Sequence, residues 1–184
     1  NNNPVGRIMG IINNKYNTEH TEKTARFFAL DCINDQQVAH ALIKAIEQWS
    51  TQKGMTKLIG PYGFSDKDPQ GLQVEGLELL PVIATPANPV YLQQLVENEG
   101  YTKELDCVSY QMPIPEKLSP VYQKIFDRVN ANKTIRLLEF TSKRQLKPYI
   151  IPVFRLVNET YAPLFGFVPM TEEEMKKFAA QYLP

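Results

Sequence analysis

The sequence predicts an α/β (α+β) fold organised on a parallel strand–helix–strand unit. Three observations predict it. The run from Thr24 to Ile33 is apolar and rich in strand formers. After it, Val38, Ala41, Leu42, Ala45, Ile46 and Trp49 recur at helical spacing and form a single apolar stripe. Gly54 then stops that helix, and a second apolar strand, Lys57 to Phe64, follows at once. Two strands joined through a helix are read as parallel neighbours with a right-handed crossover.

The remaining elements follow from local chemistry. Val5 to Asn13 reads as a strand, in which Gly10 marks a bulge or a close backbone approach. Asn14 to Lys23 is polar and turn-rich, so the first two strands form a hairpin with a long loop. Asn34 is the expected cap of the central helix, with Gln37 completing a capping-box pattern. From Gly60 to Gly76 the chain is dense in Gly, Pro, Asp and Ser and reads as loop. A short helix is expected from Pro89 to Glu99, capped by Asn88 and ended by Gly100. Tyr101 to Met112 reads as a strand, and Pro113-Ile114-Pro115 as a boundary. Beyond it come a helix capped by Ser119, a strand from Thr134 to Phe140, and a helix over 145–161 broken by Pro148 and Pro152. A last helix opens on the Thr171/Glu174 capping box and ends near Leu183.

Composition excludes several classes of function. Twenty basic residues balance 20 acidic ones over 184 residues, and the basic residues are scattered. This is no footprint for nucleic acid or for an anionic membrane. No apolar run is long enough to span a bilayer, and no signal peptide is visible. Cys32 and Cys107 lie in strand-like runs and read as reduced, buried thiols of a cytoplasmic protein. His20 and His40 are too few to argue for a metal. Asp66, Asp68 and Gln70 before Gly71 begin like a calcium loop, but the twelfth position is Leu77 rather than Glu. No metal site is expected.

The order of elements carries a resemblance. AHALIKAIEQWSTQKGM is similar to the central helix of the GNAT superfamily of acyl-CoA-dependent N-acetyltransferases, and VYLQQLVENEGYTK to its later helix and Gly-aromatic step. With INDQQVAHAL and GPYGFSDKDPQGLQVEGLELLP, the chain resembles a bacterial, tandem-type GNAT-like subfamily. The resemblance implies a mixed, mostly antiparallel sheet with helices on both faces. It places a GNAT-like core lacking its first strand and helices at residues 1–115. Residues 116–184 resemble the opening of a second such domain, or complete the first by circular permutation.

The resemblance also implies a function: transfer of an acyl group from acetyl-CoA or another acyl-CoA to a small-molecule or peptide amine. Acyl-CoA would lie along Phe28, Ala29 and Leu30, whose amides would hold the thioester carbonyl. Its pyrophosphate would sit over Gln36, Gln37, Val38 and Ala39 at the helix start. The family's phosphate-binding pattern is matched here only at Ala39; Asn34 and Gln37 replace its other members, and Asp35 adds a negative charge. The family's Tyr acid is replaced by Val96, leaving Tyr91 and Tyr101 as candidate acids and Glu75 and Glu78 as candidate bases. These departures keep an alternative open, a non-catalytic binding or scaffold module of the same fold. The apolar faces of the C-terminal helices (Val153, Phe154, Val157; Met175, Phe178, Tyr182) suit packing on a second domain or a homodimer.

Overall fold

A computed structural model describes residues 3–83, 85–132 and 135–182. The chain divides into two compact units: Asn1–Asp106 with Val157–Met170, and Cys107–Leu156 with Thr171–Pro184.

The first unit contains β1 (Gly6–Ile11), α1 (Asn14–His20), β2 (Thr24–Cys32), α2 (Gln36–Gln52), β3 (Lys57–Ile59) and α3 (Tyr91–Glu97). The sheet runs in the order β1-β2-β3. β1 is antiparallel to β2, and β3 is parallel to it, with Thr24, Ala25 and Arg26 opposite Lys57, Leu58 and Ile59. The architecture is therefore mixed α+β around the expected parallel strand–helix–strand unit.

β2 is the spine. Thr24 through Phe27, Leu30 and Cys32 are buried, so this strand is covered on both faces. Phe27, Leu30 and Cys32 join Ala39 and Ile43 of α2 and Leu92, Leu95 and Val96 of α3 in one core cluster. Burying each of the larger side chains contributes about 1.5–3 kcal/mol. The buried line of α2 runs through Ala39, Ile43 and Ser50, while Ala41 and Ala45 of the expected stripe are exposed. The helix is turned slightly because it meets two neighbours, β1 through Leu42, Ile46 and Trp49, and α3. Gly6 and Gly10 permit the first approach: a Cβ would lie 2.8 Å from Leu42 Cδ1 at Gly6 and 2.8 Å from the Trp49 ring at Gly10.

Several expectations are corrected. Residues 14–20 form α1, because the Asn13 side chain accepts the Tyr16 amide; with Tyr16 its single buried residue, the helix has no stripe to announce it. Asp35, not Asn34, caps α2, accepting the Gln37 amide at 2.8 Å. Asn88 does not cap α3: its side chain accepts the Gln73 amide at 2.7 Å and donates back to the Gln73 carbonyl, closing the base of the intervening loop. β3 ends at Ile59 rather than Phe64, because Pro61 has no amide to extend the ladder. With so short an edge to pair against, residues 101–112 carry no strand. The sheet thus has one antiparallel and one parallel pairing among the described residues, not a mostly antiparallel set.

The second unit contains α4 (Pro120–Ala131), α5 (Lys143–Leu146) and α7 (Glu172–Tyr182), and α6 (Ile150–Tyr161) begins in it and ends in the first. Ser119 caps α4 as expected. Pro148 lies in a 3₁₀ turn and Pro152 in the first turn of α6, which accounts for the break. Thr171 and Glu174 exchange the two hydrogen bonds of a capping box. The Phe154 and Phe178 rings meet edge-on at 5.6 Å. Residues 135–140 carry no strand, since a strand needs a partner and the described part of this unit offers none. Thr134 and Leu183 lie outside the described residues.

The close approach at Gly10 gives a test. Gly10→Ala is expected to destabilise the protein by about 1–3 kcal/mol, because the new methyl enters the Trp49 ring contact. Chemical denaturation measures the change.

Candidate functional site

The irregular part of β2 is where a site can form. Arg7 faces Asp31 and Met9 faces Phe28, so two residues of β2 oppose one of β1. That is a β-bulge at Ala29 and Leu30. Ala29 has φ 49°, in the left-handed region where a glycine is usual. On its other edge β2 follows β3 only through Arg26 and then accepts the Tyr62 amide at Phe27 O. From Phe28 onward no strand pairs with that edge among the described residues.

The chain after β3 folds into a loop that leaves the sheet at Phe27. Tyr62 pairs with Gln70, and Gly71 N donates to Pro61 O at 2.7 Å, making a tight loop. Asp68 sits inside it, accepting the Ser65 amide at 2.8 Å. The two acids of the calcium-like run do not converge: Asp66 pairs with Lys67. Among the described residues no group of three or more His, Cys, Asp or Glu comes together to hold a metal.

Arg26 supports this loop and was not singled out by sequence. It is 1% exposed. Its guanidinium lies between the Tyr16 and Tyr62 rings, 4.6 and 4.1 Å from their centroids. Its Nη1 donates to Gly63 O at 2.9 Å and Phe64 O at 2.8 Å. Nη2 and the Tyr62 hydroxyl are buried without a hydrogen-bond partner. Burial lowers the Arg26 pKa, opposed by the neighbouring tyrosines. Burial also pushes the Tyr62 phenol up to about 12, so it stays protonated at neutral pH. The signal in the sequence was a lone charge inside the apolar run ARFFAL.

At the far end of β2, Tyr91 donates its hydroxyl to Cys32 O at 2.9 Å. Tyr91 therefore lies at the C-terminal end of β2, beyond the reach of β3. Tyr101 does not join it: its ring packs edge-on to Phe27 at 5.5 Å, and its hydroxyl donates to Glu47 at 3.2 Å. Burial, then Glu47, pushes the Tyr101 pKa up. Glu75 and Glu78 are exposed on the loop. Val96 is buried in the core. Burial, reinforced by Asp31 and Asp35, raises the Cys32 pKa, which keeps it a thiol and a poor nucleophile.

The start of α2 is tied to α3. Gln36 donates to Leu95 O at 3.1 Å and to Glu99, and accepts from Asn98. His40 bonds Glu99 at 2.7 Å, and the Glu99 side chain is 6% exposed. Ala39 is buried, whereas Gln37 and Val38, with Asp35, line a shallow pocket of about 310 Å³ against Val5 and Gly6. Asp35 thus holds a carboxylate at the helix start and already occupies the Gln37 amide.

Two measurements follow. Ala29→Gly relieves the left-handed Cβ contact and is expected to raise stability by about 0.5–1 kcal/mol, while Ala29→Val lowers it by about 1–2 kcal/mol; thermal melts of both decide. At Glu99, burial raises the carboxyl pKa, but the bonds from Gln36 and His40 outweigh it and hold it below the ordinary value of 4.5. A lowered folded pKa contributes stability above that ordinary value and loses it as pH falls through the folded value. Glu99→Gln should therefore flatten the stability curve below pH about 4.5, read by denaturation across pH 2–6.

No family model and no solved structure matches the chain. Curated relatives do match. Over 183 residues, 96% of this chain, it is 30% identical to Protein YghO of Escherichia coli (strain K12), covering 46% of that protein. Over 178 residues, 95% of this chain, it is 26% identical to the Bacterial ceramide synthase of Caulobacter vibrioides (strain NA1000 / CB15N), covering 45% of it. The chain spans about half the length of the curated relatives it matches. Among the described residues, no helix is long and apolar enough to cross a membrane.

Proposed function

We propose that this chain forms the acyl-binding part of a GNAT-like N-acyltransferase that moves an acyl group from acyl-CoA to an amine. The observation that carries the reading is the second half of β2, which bulges at Ala29 and Leu30 in its pairing with β1 and, among the described residues, has no strand partner on its opposite edge. A thioester carbonyl laid along that edge accepts from backbone amides, which favour the oxyanion as it develops. The amine nitrogen attacks the carbonyl carbon, the C–N bond forms, and the C–S bond breaks to release the CoA thiolate; the proton the nitrogen loses passes to water, from which the Tyr91 phenol is restored after it has protonated the thiolate. Tyr91, held at the open end of β2, is the proposed proton donor to that thiolate. Both hydroxyls are engaged, Tyr91 with Cys32 O and Tyr101 with Glu47 of α2; Tyr91 is preferred because its partner lies on the half of β2 that β3 leaves unpaired.

One relative is named for ceramide synthesis, and a ceramide is a long-chain amine carrying an N-acyl chain. The acceptor proposed here is accordingly an amine with a long alkyl chain, and an acyl-CoA donor would place the chemistry in the cytoplasm. Asp35 favours a second reading, a binding module without turnover: its carboxylate occupies the Gln37 amide and repels a pyrophosphate at the α2 start.

Incubating the full-length protein with long-chain acyl-CoA and a long-chain amine tests both readings by mass spectrometry. The proposal expects an N-acyl product, and a fall of about 10²-fold in its rate in Tyr91→Phe. Saturable acyl-CoA binding without product would favour the second reading. No binding at millimolar acyl-CoA would overturn both.

A further inference from the structure

We propose that Arg26 is a positioning residue, which fixes the loop of residues 60–71 where it leaves the sheet at Phe27, next to the stretch of β2 read as the acyl site. The inference rests on the reading of Phe28 to Leu30 as an acyl site, but its geometry stands by itself. Arg26 lies three residues before Ala29 on the same strand. The loop departs from the sheet beside the bulge: Tyr62 N donates to Phe27 O at 2.8 Å, and a Cβ on Gly60 would lie 2.4 Å from that same oxygen. The first residues of the loop are then held from below by one guanidinium. Nη1 binds two consecutive carbonyls, Gly63 and Phe64, and the Asn13 amide adds a second donor to Phe64 O at 2.8 Å.

Tyr16 comes from α1 and Tyr62 from the loop itself, so the stacked guanidinium links α1, β2 and the loop. The loop has little freedom to shift around that anchor. Gly63 has no room for a side chain, with Asp68 Cβ 2.2 Å from where a Cβ would stand. On the other side Gly166 presses on the Tyr62 ring, a Cβ there falling 1.5 Å from the hydroxyl. A buried charge is costly to desolvate and is retained where its geometry is needed. Hydrogen bonds to the two carbonyls alone do not require the planar, stacked fork that only arginine supplies.

Hydrogen exchange on the full chain tests this, with Arg26→Lys, which keeps the charge and loses the fork, and Arg26→Met. Expected in Arg26→Lys is exchange about tenfold faster at the Tyr62, Ser65 and Gly71 amides, with the amides of Ile43 to Ile46 in α2 unchanged. In full-length protein that transfers acyl groups, the same variant should raise KM for acyl-CoA about fivefold with kcat within twofold. Unchanged loop exchange in Arg26→Lys would overturn the inference, as would equal acceleration in loop and α2, which marks a general stabiliser. If Arg26→Met does not fold, Arg26→Lys still decides. If the wild type forms no product, the acyltransferase reading fails while the exchange result still judges Arg26.

Discussion

The first unit depends on how β2 is held. It is covered on both faces yet paired along only part of its length. Its first half has a neighbour on each side: β1 in antiparallel register and β3 in parallel. Its second half keeps β1 but bulges and loses β3. Core burial at Phe27, Leu30 and Cys32 fixes the strand, so the unpaired edge is presented by a rigid element rather than by a mobile loop. The left-handed Ala29 persists only because the surrounding packing determines it. Stability and the candidate site therefore come from the same nine residues.

A second constraint is the treatment of charge around this strand. Asp35 is used to cap α2, Glu99 to tie α3 to its first turn, and Arg26 to hold the loop that leaves the sheet at Phe27. Each of these groups has a structural employment that competes with a ligand for it. This is the physical reason that the α2 start is a weaker place for a pyrophosphate than the glycine-rich starts of the resembling family. It also shifts the weight of the functional reading onto the backbone of β2, which carries no charge.

The legible part of the fold was the part encoded in short-range chemistry. The α2 helix, Gly54 and Gly100 in left-handed stops, the Ser119 cap and the Thr171/Glu174 box all appear where the residues place them. What was not legible depends on partners distant in sequence. Asn88 has the right chemistry to cap α3 but is captured by Gln73. Residues 101–112 and 135–140 have strand composition, yet no described edge receives them. Gly10 was read as a close approach, but only the structure names Trp49 as the neighbour. In the site, Phe28 to Leu30 could be pointed to by resemblance, whereas the Arg26 sandwich between Tyr16 and Tyr62 could not, because no local rule brings those three side chains together.

On this reading Phe28 to Leu30 receive the acyl thioester along the edge of β2 that β3 leaves unpaired. Backbone amide NMR on the full-length protein, titrated with a non-hydrolysable acyl-CoA thioether, addresses it most directly. The account predicts saturable shifts centred on Phe28, Ala29 and Leu30, with smaller ones at residues 60–63. Saturable shifts confined to other parts of the protein, or none at millimolar ligand, would contradict it.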